Sequence, residues 1–68
     1  MSSQYDLTTP DQILRTALKK ETEASDFYAE LLADCSVDLV KDLLQKLHEE
    51  ESKHVQMIQN MLKKLYSG

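Results

Sequence analysis

Apolar and small residues recur along this chain at alternating steps of three and four, which is the spacing of one face of an α-helix. In the first half of the chain these positions are Leu14, Ala17, Ala24, Leu31 and Cys35, with Tyr28 in the same phase. In the second half they are Val40, Leu44, Leu47, Ile58, Met61 and Leu65, and a second line of Leu43, Val55 and Leu62 lies beside them. The pattern predicts two amphipathic helices, at about residues 10–34 and 37–66.

The predicted helix boundaries rest on local capping signals. Thr9, Pro10 and Gln12 form a Thr-x-x-Gln capping box with proline at the first helical position, which is typical of a helix N-terminus. We expect Ser36 to cap the second helix after the interruption near that residue. Because the connection is short, the helices are predicted to run antiparallel as an all-α hairpin. We expect residues 1–8 to be a flexible N-terminus of this single domain, residues 1–68.

The small size of the chain indicates that one hairpin does not complete the fold. A chain of 68 residues is near the lower limit for independent folding. Cys35 is the only cysteine, so no disulfide forms within one chain, which also fits a reducing compartment. Two helices cannot cover both of their apolar stripes, and a symmetric dimer is the commonest solution. We therefore predict a homodimer, or a higher even-numbered homo-oligomer, in which two hairpins form a four-helix bundle.

Charge and hydropathy exclude two classes of partner. The net charge of -4 and the pI of about 4.9 leave no basic stripe to neutralise phosphates, which argues against nucleic acid. The first residues lack the basic start and apolar run of a signal peptide, and no apolar stretch approaches the ~20 residues of a membrane span. We expect a cytoplasmic protein with no membrane partner.

Three ionisable residues interrupt the apolar stripes at predicted core positions: Glu21 in the first helix, and Glu51 and His54 in the second. Burying a lone carboxylate costs several kcal/mol, so these residues need compensation. A buried polar network would supply it, and so would a metal ion such as iron, manganese or zinc. The spacing favours metal, because Glu-x-x-His places both side chains on one helix face. Glu21 and Glu51 lie at similar distances from the turn, so a dimer would offer four glutamates and two histidines to two ions.

The segments Glu21-Thr-Glu-Ala-Ser-Asp-Phe-Tyr28 and Glu49-Glu-Glu-Ser-Lys-His54 resemble the rubrerythrin branch of the ferritin-like superfamily, and most closely the encapsulated ferritins. The resemblance covers about residues 13–62 and implies a ferritin-like four-helix bundle with a di-iron site shared between two subunits. It implies that Glu21, Glu51 and His54 of each subunit bind iron. It also implies ferroxidase activity, in which Fe(II) is oxidised by dioxygen or peroxide.

The resemblance assigns two further residues and leaves one feature unmatched. Tyr28 matches a tyrosine near the metal site, and the resemblance suggests a catalytic role for it through a hydrogen bond or electron transfer. Glu23 matches a position associated with metal uptake. The chain ends without the additional C-terminal helix of the encapsulated ferritins, so we expect no docking into an encapsulin shell through this chain alone.

Other interpretations of the same residues stay open. His48 precedes Glu51 by three positions and is a candidate additional ligand. A peroxide-scavenging relative would use the same site as a ferroxidase. A metal-binding protein without turnover is a further alternative, since the ligands also suit zinc. The last is a structural or interaction module, a helical hairpin in which the polar core residues only fix the register.

Overall fold

A computed structural model describes residues 9–67 as two α-helices. Helix α1 spans Pro10–Asp34 and helix α2 spans Asp38–Ser67. The two helices pack against each other in antiparallel directions, which confirms the predicted all-α hairpin. The predicted flexible N-terminus, residues 1–8, lies outside the described residues. Neither described helix contains a stretch apolar enough to cross a lipid bilayer.

The start of α1 follows the predicted capping signal. Thr9 occupies the N-cap with an extended backbone, and the backbone N–H of Gln12 donates to Thr9 Oγ1 at 3.1 Å. The Thr9 hydroxyl in turn donates to Oε1 of the Gln12 side chain at 2.8 Å. Pro10 occupies the first helical position. An N–H at this position would have no partner within the helix, so the N–H that proline lacks costs no hydrogen bond. These contacts fix the beginning of α1 at Pro10.

The turn between the helices differs from the prediction at the start of α2. Cys35 ends α1 with an extended backbone, at φ -86° and ψ 131°. The first hydrogen bond of α2 runs from the N–H of Lys41 to the carbonyl of Val37 at 2.9 Å, so Val37 holds the N-cap position. The N-cap residue is therefore Val37 and not Ser36, and α2 begins one residue after the predicted start at about residue 37. The chain uses residues 35–37 to reverse direction before helical geometry resumes.

The seam between the helices contains the half-buried apolar residues of the hairpin. The large aliphatic ones among them are Leu14, Leu18, Leu32, Leu44, Leu47, Val55, Ile58 and Leu62. Within residues 9–67 no side chain is fully buried, because each helix has only one neighbour. Val40, Met61 and Leu65, which belong to the stripe pattern of the second helix, are still nearly half exposed in the single hairpin.

A broad apolar surface, here called the front face, lies on one side of the hairpin. Its exposed large residues are Ile13, Phe27, Leu31, Leu39, Leu43, Met57, Met61 and Leu65. Leu39 is 83% exposed. At 3.6 residues per turn, these positions lie about a quarter-turn from the seam on each helix. Because the helices are antiparallel, the apolar side of α1 and the apolar side of α2 lie on the same face of the hairpin. The single chain thus leaves apolar side chains open to solvent toward both ends of this face, with Lys20, Glu50 and His54 between them at its middle.

The opposite side of the hairpin is here called the back face. At the open end of the hairpin, three polar side chains on this face connect the two helices. The Tyr66 hydroxyl donates a short hydrogen bond to Asp11, and Arg15 Nη2 donates to the Tyr66 oxygen at 2.9 Å. Arg15 also pairs with Asp11 at 3.0 Å, and its guanidinium lies 5.8 Å from the centre of the Tyr66 ring. The hydrogen bond from Tyr66 lowers the pKa of Asp11, and Arg15 lowers it further. These contacts link the first turn of α1 to the last turn of α2.

We expect Tyr66→Phe to lower the melting temperature by no more than a few degrees at neutral pH, because the hydrogen bonds that it removes are exposed to solvent. Since folding lowers the pKa of Asp11 from 3.8, its stabilisation is complete above that value and disappears as the pH falls through the lowered pKa. Thermal unfolding followed by circular dichroism against pH tests this. Tyr28→Phe is the control. A Tyr66→Phe deficit that persists in strong acid would contradict the assignment.

Candidate metal centre

The structure brings Glu21, Glu51 and His54 together at the middle of the hairpin. Glu21 projects from α1, while Glu51 and His54 project from α2 one turn apart. His54 Nδ1 lies 3.4 Å from a Glu21 carboxylate oxygen and 3.7 Å from a Glu51 carboxylate oxygen. One ligand atom from each residue lies within 4.8 Å of the other two. Three potential ligands from two helices therefore face one point.

The three side chains differ in how far they reach solvent. The Glu51 side chain is 21% exposed and that of Glu21 is 32% exposed, because both lie at the seam between the helices. The His54 side chain is 48% exposed because it lies toward the front face. His54 occupies a stripe position in the sequence, yet in the single hairpin it borders solvent. The cluster is thus open on the side where the apolar surface is also uncovered.

The two carboxyl groups influence each other strongly. A hydrogen bond with Glu51 lowers the pKa of Glu21, and the hydrogen bond and positive charge of His54 lower it further. The same hydrogen bond raises the pKa of Glu51, and partial burial raises it further. Glu21 therefore loses its proton at a lower pH than Glu51 does. One proton between two carboxylates relieves their repulsion, and a cation at the same place would do so as well.

The donor set of the cluster fits a divalent metal ion. Two carboxylates and one imidazole are ligands that iron, manganese and zinc accept. Two ligands at about 2.1 Å from one ion lie at most ~4.2 Å apart, so the observed separations need only a small contraction of the side chains. The residues of one chain leave positions open around the ion, because three protein ligands do not fill its coordination sphere.

Two other predicted residues lie apart from this cluster. Tyr28 is half-buried seven residues after Glu21, about 10 Å along α1, and its ring contacts Phe27 at 5.8 Å between centroids. In the described part of the chain, Tyr28 makes no hydrogen bond with the three clustered residues. Glu23 is exposed. The roles suggested for both residues stay predictions.

His48, the candidate additional ligand, lies on the other side of the seam. It is half-buried, and its Nε2 lies 3.5 Å from the Ser25 hydroxyl on α1. Among residues 9–67, the group that could hold a metal includes only Glu21, Glu51 and His54. Sequence reasoning did not anticipate the pairing of Ser25 with His48. The available signal was that His48 and His54 flank Glu51 at three residues on either side, which places them on opposite sides of its carboxylate.

Comparison with known proteins gives one match. The sequence model of the rubrerythrin family matches residues 12–68. No curated protein and no solved structure matches the chain. The family match covers nearly the whole chain, including all three clustered residues, and it agrees with the resemblance already visible in the Glu-x-x-His segment. The chain therefore belongs to the rubrerythrin family.

Proposed function

We propose that two copies of this chain form a four-helix bundle that binds two iron ions and oxidises Fe(II), with Glu21, Glu51 and His54 of each copy as ligands. The observation that supports this most is the convergence of two carboxylates and an imidazole from two helices, with ligand atoms within 4.8 Å. Membership of the rubrerythrin family supports iron as the metal. A ferritin-like bundle built from four helices uses this type of ligand set.

The protein residues supply binding and charge compensation for the reaction. Glu21 and Glu51 would bind iron in their carboxylate forms, and the raised pKa of Glu51 makes it the one of the two that keeps its proton to a higher pH. His54 contributes an imidazole nitrogen, which adds no negative charge to the site. The negative charge of the ligands from two subunits therefore comes from four carboxylates. Two Fe(II) ions give up two electrons, which together with two protons reduce dioxygen to hydrogen peroxide, or peroxide to water. Accumulating positive charge on the metal is balanced by the carboxylates.

The front face supports a dimer centred on the cluster. In α1, Ile13 and Leu31 lie nine residues on either side of Thr22, and in α2, Leu43 and Met61 lie nine residues on either side of Ser52. The apolar surface is therefore centred one residue from Glu21 and one residue from Glu51. Two hairpins that overlap fully, face to face, bring their clusters to the same level in either two-fold orientation. The same contact that covers the apolar residues completes the ligand set.

We expect Leu43→Glu to weaken the dimer by at least about 2 kcal/mol, or roughly thirtyfold in the dissociation constant, because two symmetry-related leucine side chains lose burial. Sedimentation equilibrium of the metal-free protein measures this. Asn60→Glu adds the same charge to an exposed position of α2 away from the front face and is expected to leave the dissociation constant unchanged. A monomeric wild type, or an unaffected Leu43→Glu dimer, would rule out the front face as the interface.

Glu21→Ala and His54→Ala each remove a proposed ligand, and we expect each to reduce the initial rate of Fe(II) oxidation at least about a hundredfold. Loss of a residue that only supports a ligand already costs up to about a hundredfold. The rate is followed by Fe(III) absorbance after mixing anaerobic Fe(II) protein with air or peroxide. Glu30→Ala removes a carboxylate from the exposed side of α1 and serves as the matched control.

The outcomes of this experiment separate the ferroxidase from its alternatives. Variants that oxidise Fe(II) as fast as the wild type would refute the assigned ligands. A wild type that binds metal stoichiometrically without accelerating oxidation would instead identify a metal-binding protein without turnover. A folded wild type that binds no metal would leave the three residues as a polar network of a structural hairpin.

A further inference from the structure

A dimer formed through the front face would close the open side of the metal cluster. The cluster would then lie at the centre of the bundle, with apolar residues above and below it along the bundle axis. A hydrated divalent cation crosses apolar surroundings only at a high desolvation cost. Fe(II) therefore needs a polar path to the carboxylates, and the back face offers one.

The back face has a polar interruption at the level of the cluster. Ser25 on α1 and His48 on α2 are half-buried across the seam, with the Ser25 hydroxyl 3.5 Å from His48 Nε2. Thr22 and Ser52 lie one turn away from them on the exposed rim of the same side. Leu18 and Val55 close the seam on the side toward the open end of the hairpin.

Ser25, His48 and Ser52 each have a property that suits the passage of a cation. The contact between Ser25 and His48 is at the long limit for a hydrogen bond, so a change of side-chain rotamer separates the two groups readily. The Ser52 hydroxyl donates to the carbonyl of His48 at 3.0 Å, which leaves its oxygen able to accept from water or face a cation. His48 is one helical turn from Glu51, on the side opposite to His54.

We propose that hydrated divalent cations reach Glu51 from the back face, through the polar interruption formed by Thr22, Ser25, His48 and Ser52. This inference rests on the proposed dimeric metal site and names the route by which that site is filled. Ser25 and His48 act as a side-chain gate across the seam, while Thr22 and Ser52 replace part of the cation's hydration at the rim. His54 and Glu21 receive the ion after it has passed Glu51.

Co(II) is a suitable probe, because its visible absorbance reports coordination without oxidation. Stopped-flow mixing measures its association with the full-length protein, chelator competition measures its dissociation, and titration measures its stoichiometry and affinity. In Ser25→Val/His48→Leu we expect both rates to fall at least tenfold while the dissociation constant stays unchanged. A gate changes the barrier between the free and the Co(II)-bound protein, and so both rates. It leaves the free energies of the two states, and so the dissociation constant, unchanged.

Ser52→Leu tests the route at an exposed position where the fold is not at risk, and we expect it to slow association at least threefold. Asn60→Leu makes a similar change on the exposed side of α2, away from the seam, and is expected to have wild-type rates. Wild-type rates in both seam variants would overturn the proposal. Loss of affinity or stoichiometry in the double variant would also overturn it, because His48 would then be a ligand. A wild type that binds no Co(II) would refute the metal site itself.

Discussion

Two carboxylates held side by side at the middle of the hairpin govern the rest of this structure. Glu21 and Glu51 occupy positions where the helical pattern otherwise places apolar residues, and their hydrogen bond moves their pKa values in opposite directions. Such a pair repels itself unless a proton or a cation lies between the oxygens. His54, 3.4 Å from Glu21, adds a nitrogen to the two carboxyl groups, and this set of donor atoms fits a divalent metal ion.

The same constraint links the metal site to assembly. In residues 9–67 no side chain is fully buried, so the hairpin has little core of its own, and its apolar front face is centred next to the carboxylates. A second hairpin on that face would bury apolar surface and would also deliver the remaining ligands. Folding, dimerisation and metal binding are then thermodynamically coupled, because each of them stabilises the folded dimer that the others require.

Much of this arrangement could be predicted from the sequence, for identifiable physical reasons. Helical periodicity placed Glu21, Glu51 and His54 on facing sides because their positions relative to Leu14, Leu44 and Ile58 are fixed by 3.6 residues per turn. The start of α2 was predicted to within one residue, but its N-cap is Val37 and not Ser36, because the first hydrogen bond of the helix ends at the Val37 carbonyl. The pairs of Ser25 with His48 and of Asp11 with Tyr66 depend on the rotation of one helix against the other, which a single-helix pattern does not define.

In the proposed dimer, one chain supplies half of a two-metal site. The most direct test is the iron content per chain after anaerobic reconstitution with Fe(II), measured together with the mass of the protein in solution. The half-site arrangement predicts one tightly bound iron per chain in a dimer or a larger even-numbered oligomer, and none in Glu51→Ala. A folded, metal-free dimer that takes up no iron, or a monomer that binds a full complement alone, would contradict it.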